Sequence, residues 1–115
     1  MEGEASSPLT LYWRGGAPIS EAYTVSVHLL GDDGRIAAQA DGEPMNGLLP
    51  TDAWEVGEIV EDRHLIHLPP DLPPGEYTIT IGMYRAQTLE RLELAGPEGQ
   101  VSHDLLTLPS VIQLP

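Results

Sequence analysis

The chain contains no cysteine and no lysine, and each absence closes off a set of functions. Without thiols, neither a disulfide framework nor a thiolate metal site can hold the fold. Cohesion must come from a core of Leu, Ile, Val, Trp and Tyr, and the redox compartment stays open. Without lysine, five basic residues stand against 18 acidic ones, a formal net charge of −13. A chain so charged repels phosphate backbones, so no nucleic acid is expected as a partner. Aromatic residues are scarce, two tryptophans and four tyrosines, which leaves few to spare from the core. No apolar run approaches the roughly twenty residues that cross a bilayer, so no direct membrane insertion is expected. The opening MEGEASSP also lacks the basic start and apolar middle of a secretory signal.

What the chain does have is period-two alternation. Leu9, Leu11 and Trp13 alternate with Thr10 and Tyr12, the pattern of a half-buried strand. Tyr23, Val25, Val27 and Leu29 form an apolar row opposed by Thr24, Ser26 and His28, and the turn Gly31-Asp32-Asp33-Gly34 leads into RIAAQA. Asp and Gly tolerate the positive φ of tight loops, so this reads as a hairpin. Farther on, IVEDRHLIHL and EYTITIGMY flank PPDLPPG. Proline fixes φ and lacks an amide hydrogen, so this connector continues neither a helix nor a central strand and reads as a stiff surface crossing. Tyr77, Ile79, Ile81 and Met83 repeat the pattern of the second strand, which places Val25, Val27, Ile79 and Ile81 in one buried interior.

TLERLEL after Tyr84 could form a short helix on propensity, but reads as a strand returning in a hairpin, because the preceding RAQ can serve as a turn. Gly96, Pro97 and Gly99 break the chain, and DLLTL and SVIQL close it as one or two strands limited by Pro109. The expectation is an all-β, antiparallel two-sheet sandwich of seven or eight strands, immunoglobulin-like or jelly-roll-like, formed by residues 9–115 behind a mobile polar lead of residues 1–8.

Residues 41–57, DGEPMNGLLPTDAWEVG, lose all periodicity. Loops of this length are most often functional or plug a core. Trp54 beside Asp52 and Glu55 has the chemistry of a sugar platform, a ring to stack and carboxylates for hydroxyls; Tyr84, with Tyr12 and Tyr23, is a further stacking candidate. The favoured reading of Trp54 itself is nevertheless a plug folded inward to close one end of the sandwich, as large aromatics usually are buried, with the sugar platform as the alternative. Asp41, Glu43, Asn46 and Asp52 offer oxygens to calcium, but without EF-hand spacing they read as solvated loop side chains. His64 and His67 form H-x-x-H, which in a strand points to opposite faces and not to one metal. His28 and His103 read as surface residues. Asp62 and Arg63 read as cross-strand charge partners. No G-x-S-x-G elbow and no paired acid and base announce catalysis, and no cofactor is expected.

The segments LTLYWRG, VHLLGDDGRIAAQADGEPMNG, LPTDAWEVGEIVEDRHLIHLP and DLPPGEYTITIGMY together resemble a β-sandwich module found at the C-terminal end of multi-spanning bacterial glycosyltransferases of the protein-mannosyltransferase type. The resemblance spans roughly residues 9–94 and rests on P-T-x-x-W ending at Trp54, Asp62-Arg63, and L-P-P-G-x-Y leading into I-G-M-Y. It implies a non-enzymatic accessory domain of a larger envelope protein, on the extracytoplasmic side, with the transferase chemistry held elsewhere in such a protein. For such an accessory domain the loop residues Trp54, Asp52 and Glu55 make carbohydrate the specific ligand to expect, with a purely structural or protein-interaction role as the alternative. Modules of this type carry one more strand before the equivalent of LTLYW, so an open sheet edge along residues 9–13, or along the strand that would have flanked it, predicts a homodimer by strand addition or by a swap of the terminal segments.

Overall fold

The structure is a computed structural model and describes residues 5–96, 101–102 and 105–114. Eight strands follow one another: β1 (Ala5–Arg14), β2 (Thr24–Leu30), β3 (Ile36–Gln39), β4 (Ile59–Leu68), β5 (Gly75–Tyr84), β6 (Leu94–Ala95), β7 (Val101–Ser102) and β8 (Leu106–Leu114). All pairings are antiparallel. β1 pairs with β4, the order β3-β2-β5-β8 makes a four-stranded sheet, and β6 pairs with β7 as a two-residue ribbon. The protein is an all-β sandwich, as the alternation predicts, and PPDLPPG carries the chain from one sheet to the other. Among the described residues no helix is long and apolar enough to cross a membrane.

The centre of the core is the β2–β5 pair. Its register sets Val25 opposite Met83, Val27 opposite Ile81 and Leu29 opposite Ile79. These six side chains are all buried, joined by Leu11, Ile66, Leu68 and Tyr77. A large aliphatic side chain fully removed from water contributes about 1.5–3 kcal/mol, so this double row is the main cohesive element. The β2–β3 turn forms as expected, with the Gly34 amide bonded to the Gly31 carbonyl at 3.0 Å and Gly34 at φ 79, a conformation that glycine adopts without steric cost.

Three expectations are revised, and a fourth, which allowed one strand or two, is resolved. β1 begins at Ala5, and Ala5 to Pro8 pair with Leu68 to Leu65, so half of the expected lead belongs to the sandwich. Ser26 and His28, read as an outward face, are 0% and 9% exposed. The Arg91 guanidinium sits 5.5 Å over the Tyr84 ring and donates to Ser26 Oγ at 3.2 Å, covering this outer surface with a long side chain. The hairpin return after Tyr84 forms, but it is shorter than the expected strand, because the turn itself runs from Arg85 to Leu89. The Leu89 amide bonds to the Arg85 carbonyl at 2.7 Å, Leu89 takes φ 64, and only Arg91 bridges back to Tyr84. Finally, Leu106 to Leu108 and SVIQL belong to a single strand, β8, one of the two expected outcomes, whose register against β5 shifts between Thr78 and Thr80. Pro109 falls opposite this shift, where a missing amide hydrogen costs least. Pro97, Gly99, His103 and Asp104 lie outside the described residues.

Candidate functional site

β4 turns Val60, Asp62, His64, Ile66 and Leu68 to one side and Glu61, Arg63, Leu65 and His67 to the other, the former row buried or half-buried and the latter exposed. Period two therefore carries a carboxylate into the interior, and Asp62 is 0% exposed. An isolated buried carboxylate is costly unless every lone pair is engaged. Here Trp13 Nε1 donates to Asp62 Oδ2 at 3.0 Å, His64 Nε2 meets the same oxygen at 2.6 Å, and the Met45 amide donates to Oδ1 at 2.9 Å. Burial alone pushes the Asp62 carboxyl up. The hydrogen bonds from His64, the Met45 amide and the Trp13 indole, with the charge of His64, outweigh it and hold the carboxyl below the ordinary value of 3.8.

This knot corrects the reading of Asp62 and Arg63 as charge partners. Being adjacent in a strand, they point to opposite faces. Arg63 pairs instead with Glu61, Nη2 to Oε2 at 2.6 Å and Nε to the same oxygen at 2.7 Å. His64 and His67 do lie on opposite faces, His64 inward with its side chain only 7% exposed, His67 exposed.

Residues 41–57 fold as two short 3-10 turns, Pro44–Gly47 and Thr51–Ala53, each tied down by one buried side chain. In the first, Met45 (φ 52, ψ 39) and Asn46 (φ 56, ψ 36) are both left-handed. That conformation costs roughly 1–2 kcal/mol for each residue with a Cβ, and the bond from the Met45 amide to Asp62 holds it. In the second, the fully buried Thr51 hydroxyl accepts from the Tyr23 amide at 2.9 Å and donates to the Glu21 carbonyl at 2.6 Å. Three residues on, Trp54 is half-buried against the core and its Nε1 donates to the Leu49 carbonyl at 2.9 Å. P-T-x-x-W thus fastens the loop to the start of β2 and turns the indole inward.

The sugar-platform residues are consequently dispersed. Asp52 and Glu55 are exposed, and the Glu55 amide is bonded to Glu58 Oε1 at 3.0 Å. Tyr84 belongs to another network: its hydroxyl donates to Asp41 Oδ2 at 3.0 Å beneath Arg91. Burial first, then Asp41, pushes that hydroxyl above its ordinary value of 10.0, with Arg91 opposing. Of the calcium candidates, Asp41 also accepts from the Val27 amide at 3.3 Å, and Glu43, Asn46 and Asp52 lie exposed along the loop. Among the described residues no three acidic or imidazole groups converge as metal ligands.

What the structure does bring together is a groove of about 490 Å³ between the end of β3 and β4, with Gln39, Asp41, Asn46, Arg63, His64 and His67 in its wall. The signal for the knot beneath it was available: Asp62 stands on the same parity as Val60, Ile66 and Leu68, a charge in an apolar stripe. The partners were not available, because Trp13 and Met45 are 49 and 17 residues away. Compared with protein-family models, with curated proteins and with solved structures, the chain has no significant match.

Proposed function

We propose that the protein is a non-catalytic accessory β-sandwich module of a larger envelope protein, of the kind its sequence resembles, and that it binds carbohydrate. The observation that carries the non-catalytic part is the condition of Asp62 and His64. An acid beside an imidazole is the raw material of general acid–base chemistry, but a working pair must reach a substrate proton. Asp62 is sealed from solvent and accepts three hydrogen bonds, so it orients neighbouring groups and is out of reach of any substrate. Carbohydrate is supported by the polar groove above it, which falls in the size range of small-molecule sites.

A second reading, a structural or protein-interaction domain with no small ligand, draws on Trp54. Its indole is tied inward, where it cannot offer a full face to a sugar. A glycan array followed by mass spectrometry of the retained material separates these. The proposal expects retained glycans to be recovered unchanged. Retention of none favours the structural reading, and recovery of cleaved or extended glycans overturns the non-catalytic one.

A further inference from the structure

We infer that the groove between β3 and β4, and not the Trp54 loop, is the ligand site, and that it takes a neutral polyhydroxylated ring, a sugar without a carboxylate. This rests on the carbohydrate reading above and assigns its place and charge class. Three observations converge on the groove. First, it is preorganised by one buried group: Asp62 holds the His64 ring through Nε2 and the left-handed turn through the Met45 amide. Both His64 and Asn46, the residue after Met45, line the groove. Strained backbone that the surroundings over-determine concentrates where function needs fixed geometry, and Asn46 is one of only three non-glycine residues at positive φ among those described.

Second, the groove wall holds polar groups with nothing to bind. Among the described residues the Asn46 carboxamide and the His67 ring make no hydrogen bond, the His64 bond uses only Nε2, and Gln39 Nε2 has one long contact, 3.4 Å to His28. These offer donors and acceptors in the mixture that hydroxyl groups satisfy, while Pro8, Ala40 and Leu65 supply apolar surface for the C–H face of a ring.

Third, the charges decide against an anion. Arg63 is neutralised by Glu61, His64 lies against the Asp62 carboxylate, Asp41 adds a negative group to the wall, and the chain carries −13 overall. At physiological salt the screening length is about 8 Å, so it is these neighbours that a bound ligand feels. With no Trp or Tyr side chain in the wall to stack on, affinity is weak, in the millimolar range (Kd 1 mM corresponds to about −4 kcal/mol).

The test is an amide chemical-shift titration of the folded domain with methyl glucoside and with glucuronate, the same ring with and without a carboxylate. The inference expects shifts at Gln39, Asn46, His64 and His67 with the glucoside, and at least fivefold weaker binding of glucuronate. Asn46→Gly keeps the left-handed turn while removing the carboxamide, and is expected to weaken the glucoside fivefold or more. If that variant fails to fold, Gln39→Ala, on an exposed side chain outside the knot, takes its place with the same expectation. Shifts centred on residues 52–55 overturn the site and leave the carbohydrate reading standing. Equal or tighter binding of glucuronate overturns the charge class. No shifts with any sugar overturn both.

Discussion

The β2–β5 pair and the β1–β4 pair are both antiparallel and both present an inward row to the same core, yet they are held by different physics. Between β2 and β5 every inward contact is apolar, Val25 with Met83, Val27 with Ile81, Leu29 with Ile79. Between β1 and β4 the inward row is mixed: Asp62 stands opposite Leu11, flanked along β4 by Val60 opposite Trp13 and by His64 opposite Leu9, with Ile66 and Leu68 farther on. The first pair is cemented by area removed from water, which is non-directional and indifferent to pH. The second is cemented partly by one carboxylate whose bonds are directional and which can be protonated. It also reaches beyond its own sheet, because the Met45 amide fastens the long loop to it. The apolar pair supplies stability, and the polar pair supplies placement of a loop that would not choose two consecutive left-handed residues by itself.

The sharpest way to break this contrast is Asp62→Ala. It leaves the Trp13 indole and the Met45 amide without partners in the interior, and breaking a buried pair by removing one member costs about 3–5 kcal/mol. Urea unfolding at neutral pH is expected to show that loss. Ile79→Ala is expected to cost about 2–5 kcal/mol through lost transfer energy and a cavity. The two losses differ in kind: the Ile79 deficit is expected to persist in acid, whereas the Asp62 deficit shrinks as the wild-type carboxylate is itself protonated. Equal pH dependence for both variants would erase the distinction.

Smaller effects sharpen the comparison within the loop. Trp54→Ala is expected to lower stability by about 1.5–3 kcal/mol, less than for a fully buried tryptophan because the ring is only half-buried. A melting temperature unchanged by the substitution would restore the platform reading. Leu48, 82% exposed between the two 3-10 turns, touches neither anchor, and Leu48→Ser is expected to stay within about 0.5 kcal/mol in the same urea series.

The contrast also explains what could be read from the sequence. Burial of Val25, Val27, Ile79 and Ile81 is legible because apolar periodicity depends only on neighbours along the chain, and the Gly31 to Gly34 turn because its residue types dictate φ. The outward face of β2 was misread for a non-local reason: Ser26 is covered by Arg91, 65 residues away. The return in TLERLEL is shorter than its alternation suggests because the turn takes up the chain from Arg85 to Leu89. The start of β1 is hidden in the sequence because Ala5 to Pro8 show no alternation and are recruited by Leu65 to Leu68 of β4. At the candidate site, Trp54 and Asp52 drew notice by residue type, while the groove is assembled from β3, the first 3-10 turn and β4, elements whose adjacency no spacing announces. Asp62 was visible as a charge in an apolar stripe, and its role was hidden because a carboxylate's meaning lies in its partners.

The central claim, that one buried carboxylate ties the β1–β4 pair to the loop, is tested most directly by amide hydrogen exchange as the pH is lowered. The sign follows from Asp62: a carboxyl held below its unfolded value contributes stability that is fully present above that value and is lost as pH falls through the lowered folded value, here below 3.8. After correction for intrinsic rates, the Met45 amide and the amides of β1 and β4 nearest Asp62 are expected to lose protection first in that window, while Val27 and Ile81 in the apolar pair keep theirs. Simultaneous loss across both sheets, or a Met45 amide unprotected already at neutral pH, would contradict the account.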